Sequence, residues 1–412
     1  MSCDCNIDGL MPLEQAKQTI WQTVRQVEEI QDCPLEEALG RVLAKDIVSP
    51  VNVPPSDNSA MDGYAIRYQD LATTSHFNLV GKSFAGQPCL KALGPGECVR
   101  IMTGANIPDG ADTIVIQENV NADGTSMVIR QSPKAGNAIR SAGEDIPKGA
   151  RVFTTGRLVT ATDIGLLASL GIERVPVFRK LRVAVFSTGD ELVQPGTALQ
   201  DGQIFDSNRP ALVAMLRKLG VDIIDLGIIT DNKQDIRRAF QEANHQADVV
   251  VSSGGVSVGE ADFTKEILDE MGQIEFWKLA IKPGKPLAFG RLSDSVFFGL
   301  PGNPVSAMVT FHQIAVPTLR LMMGQTPSSK TLFQALANST FKKRPGRTDF
   351  QRGVCWRDEK GQLMVEPTGS QGSGILSSFS NSNCYAVLEK ERGDVQCGER
   401  VTVELFDSII AH

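Results

Sequence analysis

Apolar residues recur at three- and four-residue steps from Leu13 onward, close to the start of the chain. This spacing predicts an amphipathic helix over residues 12–31, with Pro12 in its first turn. A second apolar run follows Pro34 and predicts another helix, which ends before a proline-rich turn at 51–55. We therefore expect a helical start and a first domain boundary at this turn.

Residues 51–142 have a different pattern, in which short β-branched runs such as 111–117 are separated by glycines. This pattern predicts a small β domain. A helical pattern returns at 162–170. We therefore predict that residues 1–50 and 143–178 form one discontinuous helical domain, which the β domain interrupts.

After Pro176 the pattern alternates between apolar runs of strand length and amphipathic runs of helix length. Such alternation is typical of a parallel sheet with helices on both faces. In that architecture, ligands bind beyond the carboxyl ends of the strands. The predicted elements are strand 182–186, helix 208–219, strand 222–226, helix 233–245, strand 248–252 and helix 262–271.

The last part of the chain returns to a β pattern, with a strand predicted at 384–388 and a hairpin turn at 360–361. The whole pattern predicts an α/β multidomain chain. A doubly wound parallel-sheet domain occupies 179–330, helical and β domains precede it, and a C-terminal β domain, expected to be a β-barrel, occupies 331–412.

Composition narrows the function classes. The 412 residues include 41 Lys plus Arg and 48 Asp plus Glu, so the net charge is −7. This balance argues against a nucleic-acid-binding protein that neutralises phosphates. The sequence contains no run of about 18 apolar residues, so no membrane span is predicted. The acidic start does not resemble a signal peptide. We therefore expect a cytoplasmic protein without nucleic-acid or membrane partners.

The eight cysteines lack paired C-x-x-C spacings, which favours reduced thiols over a zinc site or a disulfide scaffold. Cys3 and Cys5 form one C-x-C pair, for which binding of a soft metal is the alternative to free thiols.

A glycine- and serine-rich segment follows the predicted strand 248–252 and leads into a helix. Glycines let the backbone approach an anion, and the free N–H groups of a following helix attract it, so we expect phosphate binding here. The alternative is a tight turn without a ligand. The expected binding residues are Ser253, Gly254, Gly255, Ser257 and Gly259.

A second candidate segment, 187–192, also lies at a predicted strand end and contains Ser187, Gly189, Asp190 and Glu191. Adjacent carboxylates can orient a ribose or hold Mg²⁺ that shares substrate phosphates. The alternative is a pair of acids at a helix N-terminus, where the helix dipole favours them.

Three lysines lie close together in an otherwise apolar segment: Lys278, Lys282 and Lys285. In an extended segment the first two share a face. Buried cations are costly unless an anion offsets them, which suggests an oxyanion ligand. The alternative is an edge strand that lysines protect from aggregation.

Two further loops contain candidate residues. One runs from Pro301 through Gly302 and Asn303 to Pro304, and it precedes an apolar helix predicted at 305–323. Two prolines make this loop rigid, and Ser306 can present its hydroxyl to a ligand. A plain helix entry is the alternative. The other loop, 58–65, contains Asp62, which by itself indicates no more than a turn.

Together these segments resemble the molybdopterin molybdenumtransferase family, which comprises MoeA proteins and the gephyrin E domain. The matching segments are 57–65, 100–105, 143–146, 187–192, 252–262, 282–286 and 300–306. The resemblance implies a four-domain homodimer in which the parallel-sheet domain binds molybdopterin. It also implies Mg²⁺-dependent cleavage of adenylylated molybdopterin, insertion of molybdate and release of AMP. A molybdopterin adenylyltransferase and molybdoenzyme-maturation proteins are the implied partners.

The resemblance also implies roles for individual residues. The metal ligands are Asp190, Glu191 and Asp262. The residues implied in the chemistry are Asp62, Asp145, Glu191, Asp231, Asp262, Lys278 and Lys282. Asp62, Thr103 and Asp145 reach the cleft from the second subunit. The cations and hydroxyls suited to molybdate are Lys282, Lys285 and Ser306, with Arg347 and Ser377 completing the oxyanion site.

Two other functions remain open. The gephyrin resemblance allows a peptide-binding scaffold without turnover, which has no need of the acids and lysines. A nucleotide pyrophosphatase on the same α/β domain is the second alternative, and it has no use for molybdate.

Overall fold

A computed structural model describes residues 9–254, 263–327 and 329–410. The chain forms two compact units. The N-terminal unit contains Asp32–Leu39 and Lys45–Pro176, and the C-terminal unit contains Met1–Gln31, Gly40–Ala44 and Val177–His412. The division into four domains with the boundaries given above stays a prediction.

The chain begins with helix α1 (Leu13–Thr23) and strand β1 (Ile30–Pro34). The elements that follow, up to residue 178, are β2 (Ile47–Val48), β3 (Asn58–Ser59), β4 (Gly63–Ile66), β5 (His76–Ser83), β6 (Glu97–Ile101), β7 (Thr113–Ile116), β8 (Val120–Ala122), β9 (Ser126–Ile129), β10 (Ile139–Arg140), β11 (Arg151–Phe153), α2 (Ala161–Ser169) and β12 (Arg174–Phe178).

The first predicted N-terminal helix is confirmed over Leu13–Thr23 only, and the second is wrong. Helix α1 ends at Thr23 instead of residue 31, because the chain becomes extended and the N–H of Val27 donates to the carbonyl of Met322. β-branched residues favour this extended form. The second predicted helix is reduced to one short 3₁₀ turn, Leu35–Glu37, and Gly40 at φ 74° leads the chain away.

In the N-terminal unit, six strands form one sheet in the order β7-β4-β6-β5-β9-β8. A hairpin joins β8 and β9, whereas β7 pairs with β4. Gly63 in β4 lies so close to the backbone carbonyl of Val115 that a Cβ atom has no room there. The predicted β domain is thus confirmed as a sheet, and α2 confirms the predicted helix at 162–170.

The α/β part of the C-terminal unit contains β13 (Arg182–Thr188), β14 (Leu192–Val193), β15 (Ile204–Phe205), α3 (Asn208–Leu219), β16 (Asp222–Ile229), α4 (Lys233–Gln246), β17 (Val249–Ser253), α5 (Phe263–Met271), β18 (Gly272–Lys278), β19 (Ile281–Lys282), β20 (Pro286–Leu292), β21 (Val296–Leu300), α6 (Pro304–Thr310) and α7 (Val316–Met322). A π-helical turn, Phe311–Ala315, joins α6 and α7. Each predicted strand and helix of this region is present, with ends shifted by a few residues.

The main sheet has the order β16-β13-β17-β21-β20-β18. The first four strands are parallel, and β20 and β18 continue the sheet through antiparallel pairings. Its core contains Phe186, Phe240 and Phe297, whose rings stack edge to face with centroids 5.2 and 5.3 Å apart. This packing fixes the strand ends from which the candidate site is built.

The remaining elements are β22 (Phe333–Ala337), β23 (Thr348–Arg357), β24 (Leu363–Pro367), α8 (Ser377–Ser380), β25 (Cys384–Leu388) and β26 (Arg400–Leu405). The strands pair in the order β23-β24-β22-β26-β25, and β25 pairs again with β23. This closes a five-stranded barrel, as predicted, and β23 and β24 form the predicted hairpin. Strand β19 also pairs with β23 and so joins the barrel.

Candidate active site

The carboxyl ends of β13, β16, β17 and β21 lie at one edge of the main sheet, and the candidate residues follow these strands. Ser187 at the end of β13 is buried, and its hydroxyl donates to Asp206 Oδ1 over 3.2 Å. Asp206 is itself 2% exposed and accepts two further hydrogen bonds from Arg209. Ser187 therefore supports the site through a buried network instead of facing solvent.

Three carboxylates gather beyond β13 and β16. The main-chain N–H of Asp231 donates to Asp190 Oδ1 over 2.9 Å. Burial raises the pKa of Asp231, and the negative charges of Asp190 and Glu191 raise it further. Within the described part of the chain, none of the three carboxylates forms an ion pair. Asp190 and Glu191 lie in the turn between β13 and β14, so the helix N-terminus expected by the alternative interpretation is absent from residues 189–192.

Gly189 shapes this turn. Its φ of +146° is unfavourable for a residue with a side chain, and a Cβ atom there would lie 2.6 Å from Glu191 Oε2. The glycine thus leaves room for the Glu191 carboxylate to fold back over the turn.

The glycine-rich segment begins with Ser252 and Ser253, which end β17 and are buried. Within the described residues, the Ser252 hydroxyl has no hydrogen-bond partner. Gly254 has a φ of +90°, and a Cβ atom there would lie 2.6 Å from the carbonyl oxygen of Thr188. Close backbone approach therefore requires glycine at 254. The predicted Gly255, Ser257, Gly259 and Asp262 lie outside the described residues.

Asn208, the first residue of α3, links two of the candidate loops. Its Nδ2 group donates to Ser253 Oγ over 2.8 Å and to the carbonyl of Gly302 over 2.7 Å. Neither Asn208 nor Asp206 was predicted from the sequence as a site residue. The only available signal was a polar Asp-Ser-Asn run at the predicted start of a helix, which is also typical of an ordinary helix cap.

The lysine segment differs from its prediction. Strand β18 ends at Lys278, which is exposed, and Lys282 belongs to the separate strand β19. The expectation that these two lysines share a face of one strand is therefore wrong. The chain leaves the main sheet at Leu279 because Ala280 and Ile281 pair with the barrel at Thr348.

Lys282 has a protein partner. Its Nζ donates to Asp349 Oδ2 over 3.1 Å, and the Asp349 side chain is 2% exposed. The charge of Lys282 is thus already offset, and its side chain is 42% exposed, so desolvation of this lysine does not by itself require a ligand. Lys285 is half-buried, and its carbonyl accepts from the N–H of Leu279 over 2.6 Å.

The loop before α6 leads directly into the helix. Pro301 is buried, Gly302 and Asn303 are exposed, and Pro304 is the first residue of the helix. The loop is therefore an ordinary helix entry that also exposes backbone groups at the edge of the main sheet. Ser306 is buried in the first turn of α6.

One predicted binding residue, Ser377, lies in the barrel beside a buried serine. Ser377 is exposed at the start of α8, whereas the next residue, Ser378, is buried and accepts from Arg352 Nε over 3.0 Å. Arg352 has no exposed surface, and its burial lowers the pKa of its guanidinium. No pattern in the sequence predicts a role for this arginine. Arg347 is half-buried in the segment before β23.

In the N-terminal unit, Asp62 and Thr103 lie together. The backbone N–H and the hydroxyl of Thr103 both donate to Asp62 Oδ1 over 2.8 Å. These bonds lower the pKa of Asp62, which is therefore ionised at neutral pH. Asp145 is exposed, and its N–H donates to the carbonyl of Val53.

Among the described residues, no group of three or more His, Cys, Asp or Glu side chains is placed so that it could hold a metal ion by itself. No helix in the described ranges is both long and apolar enough to cross a membrane.

Three successive parts of the chain match known protein families. Residues 11–171 match the MoeA N-terminal region (domain I and II). Residues 184–321 match the probable molybdopterin binding domain, and residues 334–406 match the MoeA C-terminal region (domain IV).

Relatives that match nearly the whole of this chain have names from the same family. The molybdopterin molybdenumtransferase of Haemophilus influenzae is 48% identical over 97% of this chain and 100% of its own length. That of Bacillus subtilis is 33% identical over 96% of this chain and 94% of its own length. Gephyrin of Dictyostelium discoideum is 31% identical over 97% of this chain and 63% of its own length.

Solved structures give the same result. A molybdopterin biosynthesis MoeA protein from Pyrococcus horikoshii has a TM-score of 0.80 at 33% identity, over 97% of this chain and 99% of that one. The sheet, the barrel and these matches define a multidomain transferase of molybdenum-cofactor biosynthesis. The chain belongs to the MoeA family of molybdopterin molybdenumtransferases.

Proposed function

We propose that the protein inserts molybdate into adenylylated molybdopterin and releases AMP in a Mg²⁺-dependent reaction. The observation that carries this proposal is the cluster of Asp190, Glu191 and Asp231 at the carboxyl edge of the main sheet. Burial and, after it, the charges of Asp190 and Glu191 raise the pKa of Asp231 there, and among the described residues no cation pairs with the three acids. Such a cluster is stabilised when a cation binds.

The donor set suits Mg²⁺ that shares a substrate. Mg²⁺ is usually held by one or two carboxylates together with phosphate oxygens and water, so a complete protein cage is not needed. Asp190 and Glu191 are the proposed ligands, and Asp262 is proposed as the third. When bound, Mg²⁺ would neutralise phosphate charge on the departing AMP.

The protein's own groups have separate tasks. The turn that begins at Ser253 and Gly254 presents backbone near the strand ends, which suits a phosphate group. Lys282 is oriented by Asp349 over 3.1 Å, so its remaining N–H groups can donate to molybdate. The other residues proposed for substrate binding are Lys278, Lys285, Pro301, Gly302, Asn303, Pro304, Ser306, Arg347 and Ser377.

We further propose that the protein is a cytoplasmic homodimer in which Asp62, Thr103 and Asp145 of one subunit complete the site of the other. The bonds from Thr103 keep Asp62 charged and fixed in direction, as expected of a residue that contacts a ligand. A molybdopterin adenylyltransferase and molybdoenzyme-maturation proteins are the proposed partners.

The function is tested with purified protein, adenylylated molybdopterin, Mg²⁺ and molybdate. We expect AMP release together with active cofactor, and loss of both in Asp262→Ala. The control is Asp269→Ala, which removes an exposed carboxylate from α5. Unchanged turnover in Asp262→Ala contradicts the site assignment. AMP release that is independent of molybdate instead supports the pyrophosphatase alternative.

A cavity favours peptide binding as a second candidate function. It has a volume of about 1030 Å³ in the C-terminal unit, between α1 and the barrel, and apolar side chains such as Trp21, Leu332 and Phe333 line it. Lys17 and Lys330 also line it, but each is paired with an acid of the lining, Glu14 and Glu404, so the cavity suits an apolar peptide. A panel of such peptides should bind the protein, and Phe333→Ala should weaken binding, whereas Leu90→Ala, at an exposed leucine in the N-terminal unit, should not.

A further inference from the structure

Asn208 makes the most direct connection between the candidate loops. The residue is 9% exposed, and its two amide protons have two different acceptors, Ser253 Oγ and the carbonyl of Gly302. One acceptor ends β17 and begins the glycine-rich segment. The other lies in the proline-flanked loop before α6. Because an amide NH₂ has only two protons, both are used in holding these loops.

Asn208 is itself held firmly. Two residues earlier, buried Asp206 accepts from Ser187 at the end of β13 and from Arg209. Arg209 extends the network by an ion pair to Asp225. The start of α3 is thus anchored to β13, and through Asn208 it sets the distance between two loops that follow other strands.

A second buried asparagine provides an internal comparison. Asn244 is 7% exposed, and its Nδ2 donates to Ser293 Oγ over 2.7 Å. Its Oδ1 accepts from the N–H and the hydroxyl of Ser295. Asn244 therefore ties down the turn between β20 and β21, which is remote from the carboxyl ends of the parallel strands. The same chemistry has only a structural use there.

We propose that Asn208 is a positioning residue that makes the turn at Ser253 and the loop at Gly302 act as a single anion-binding site. The ligand class is a nucleotide phosphate, as in the AMP half of the substrate. This inference rests on the proposed function and adds that neither loop binds the phosphate well alone. Small displacements of binding groups reduce reactivity strongly, so loss of the tie affects binding more than folding.

The test compares Asn208→Ala with Asn244→Ala. Each variant loses a buried amide that ties loops, so both should lower the thermal unfolding midpoint. Asn208→Ala should raise the KM for adenylylated molybdopterin and the Kd for AMP, measured by calorimetry, by at least 10-fold. Asn244→Ala should leave both constants unchanged. The dependence of the rate on molybdate concentration should stay the same in both variants.

A near-isosteric variant separates the two bonds and guards against a folding failure. In Asn208→Asp, the carboxylate can still accept from the Ser253 hydroxyl, but it has no proton for the Gly302 carbonyl. We expect a loss of AMP affinity like that of the alanine variant, with a smaller change in unfolding midpoint.

The outcomes separate the two proposals. If the wild-type protein binds AMP but does not turn over, the proposed function fails and the AMP titrations still decide the role of Asn208. Equal KM and Kd values in the wild-type protein and both Asn208 variants overturn the inference. It is also overturned if Asn244→Ala weakens AMP binding as much as Asn208→Ala, or if the wild-type protein does not bind AMP.

Discussion

Two aspartates at opposite edges of the main sheet, Asp248 at the amino ends of the parallel strands and Asp231 at their carboxyl ends, have opposite electrostatic surroundings. At the amino edge, Asp248 accepts from Arg179 and Arg182 over 2.7 to 3.2 Å. Burial raises the pKa of Asp248, but these hydrogen bonds outweigh it and hold the pKa below the ordinary value. At the carboxyl edge, Asp231 has a raised pKa and no cation among its described neighbours.

This difference shows which charges serve the fold and which are available for chemistry. A carboxylate with hydrogen-bonded arginines stabilises the folded state. A carboxylate beside other carboxylates destabilises it, which makes that carboxylate a candidate for binding a ligand. The same sheet therefore gives an internal standard for both roles.

The largest expected effect comes from replacing, one at a time, two aspartates near opposite ends of β16. Asp231→Asn should lower turnover about 100-fold, because it removes a charge from the proposed cation site. Its unfolding midpoint should not fall, since a repulsion is also removed. Asp222→Asn, at the other end of the strand, should keep full turnover. Steady-state AMP release measures both variants, and equal rates would remove the distinction between the edges.

The next effect concerns stability. Asp248→Asn leaves Arg179 and Arg182 without their shared acceptor and should lower the free energy of unfolding by about 2 kcal/mol. The side chain of Asp248 is 17% exposed, so solvent screens the pair only in part. Denaturant titration gives the stability, and AMP release should stay within twofold of the wild-type rate. A large loss of activity in a stable variant would place function at the amino edge.

A smaller difference, in unfolding free energy, is expected between alanine substitutions at two glycines. Gly284 has a φ of +110°, and a Cβ atom would collide with the Thr310 hydroxyl. Gly220 at the amino edge has a φ of +81°, with the nearest atom 3.9 Å from such a Cβ. Alanine at 220 should cost about 1 kcal/mol of unfolding free energy from backbone strain alone. Alanine at 284 should cost about 1 kcal/mol more through the collision. Equal losses would show that Thr310 moves aside.

The smallest effect is the pH dependence of the Asp248 contribution. Because its folded pKa lies below the unfolded value, its stabilisation is complete above the unfolded pKa and is lost as pH falls through the folded pKa. The stability gap between wild type and Asp248→Asn should therefore be constant near neutral pH and shrink below about pH 4. Urea titrations at several pH values measure this gap, and a gap that widens in acid would reverse the assignment.

Local periodicity explains which parts of the fold were predictable. Helix α3 and strand β17 each have their own apolar pattern, and both appear where the pattern predicts them. Residues after Thr23 also show a helical pattern, but the N–H of Val27 bonds to Met322, which is almost 300 residues away. No local pattern contains that bond.

The residues of the candidate site likewise divide into those that could be predicted from the sequence and those that could not. Glycine- and acid-rich segments were visible because their composition is unusual for strand ends. Asp349 was not, since it is 67 residues from Lys282 and looks like an ordinary barrel residue. Asn208 and Arg352 were missed for the same reason. Partners that neutralise or orient a site residue come from elsewhere in the fold, so their role is defined only by three-dimensional contacts.

Strand β19 has a consequence for how the protein can be divided. Its two residues lie within the α/β sequence, yet they hydrogen bond with Thr348 and Asp349 of the barrel. The orientation of Lys282 therefore depends on the barrel. A chain severed between α7 and β22 would keep both hydrophobic cores and still misplace this lysine until the fragments reassociated. Recombining barrels from different relatives should consequently alter the chemistry of an otherwise unchanged α/β region.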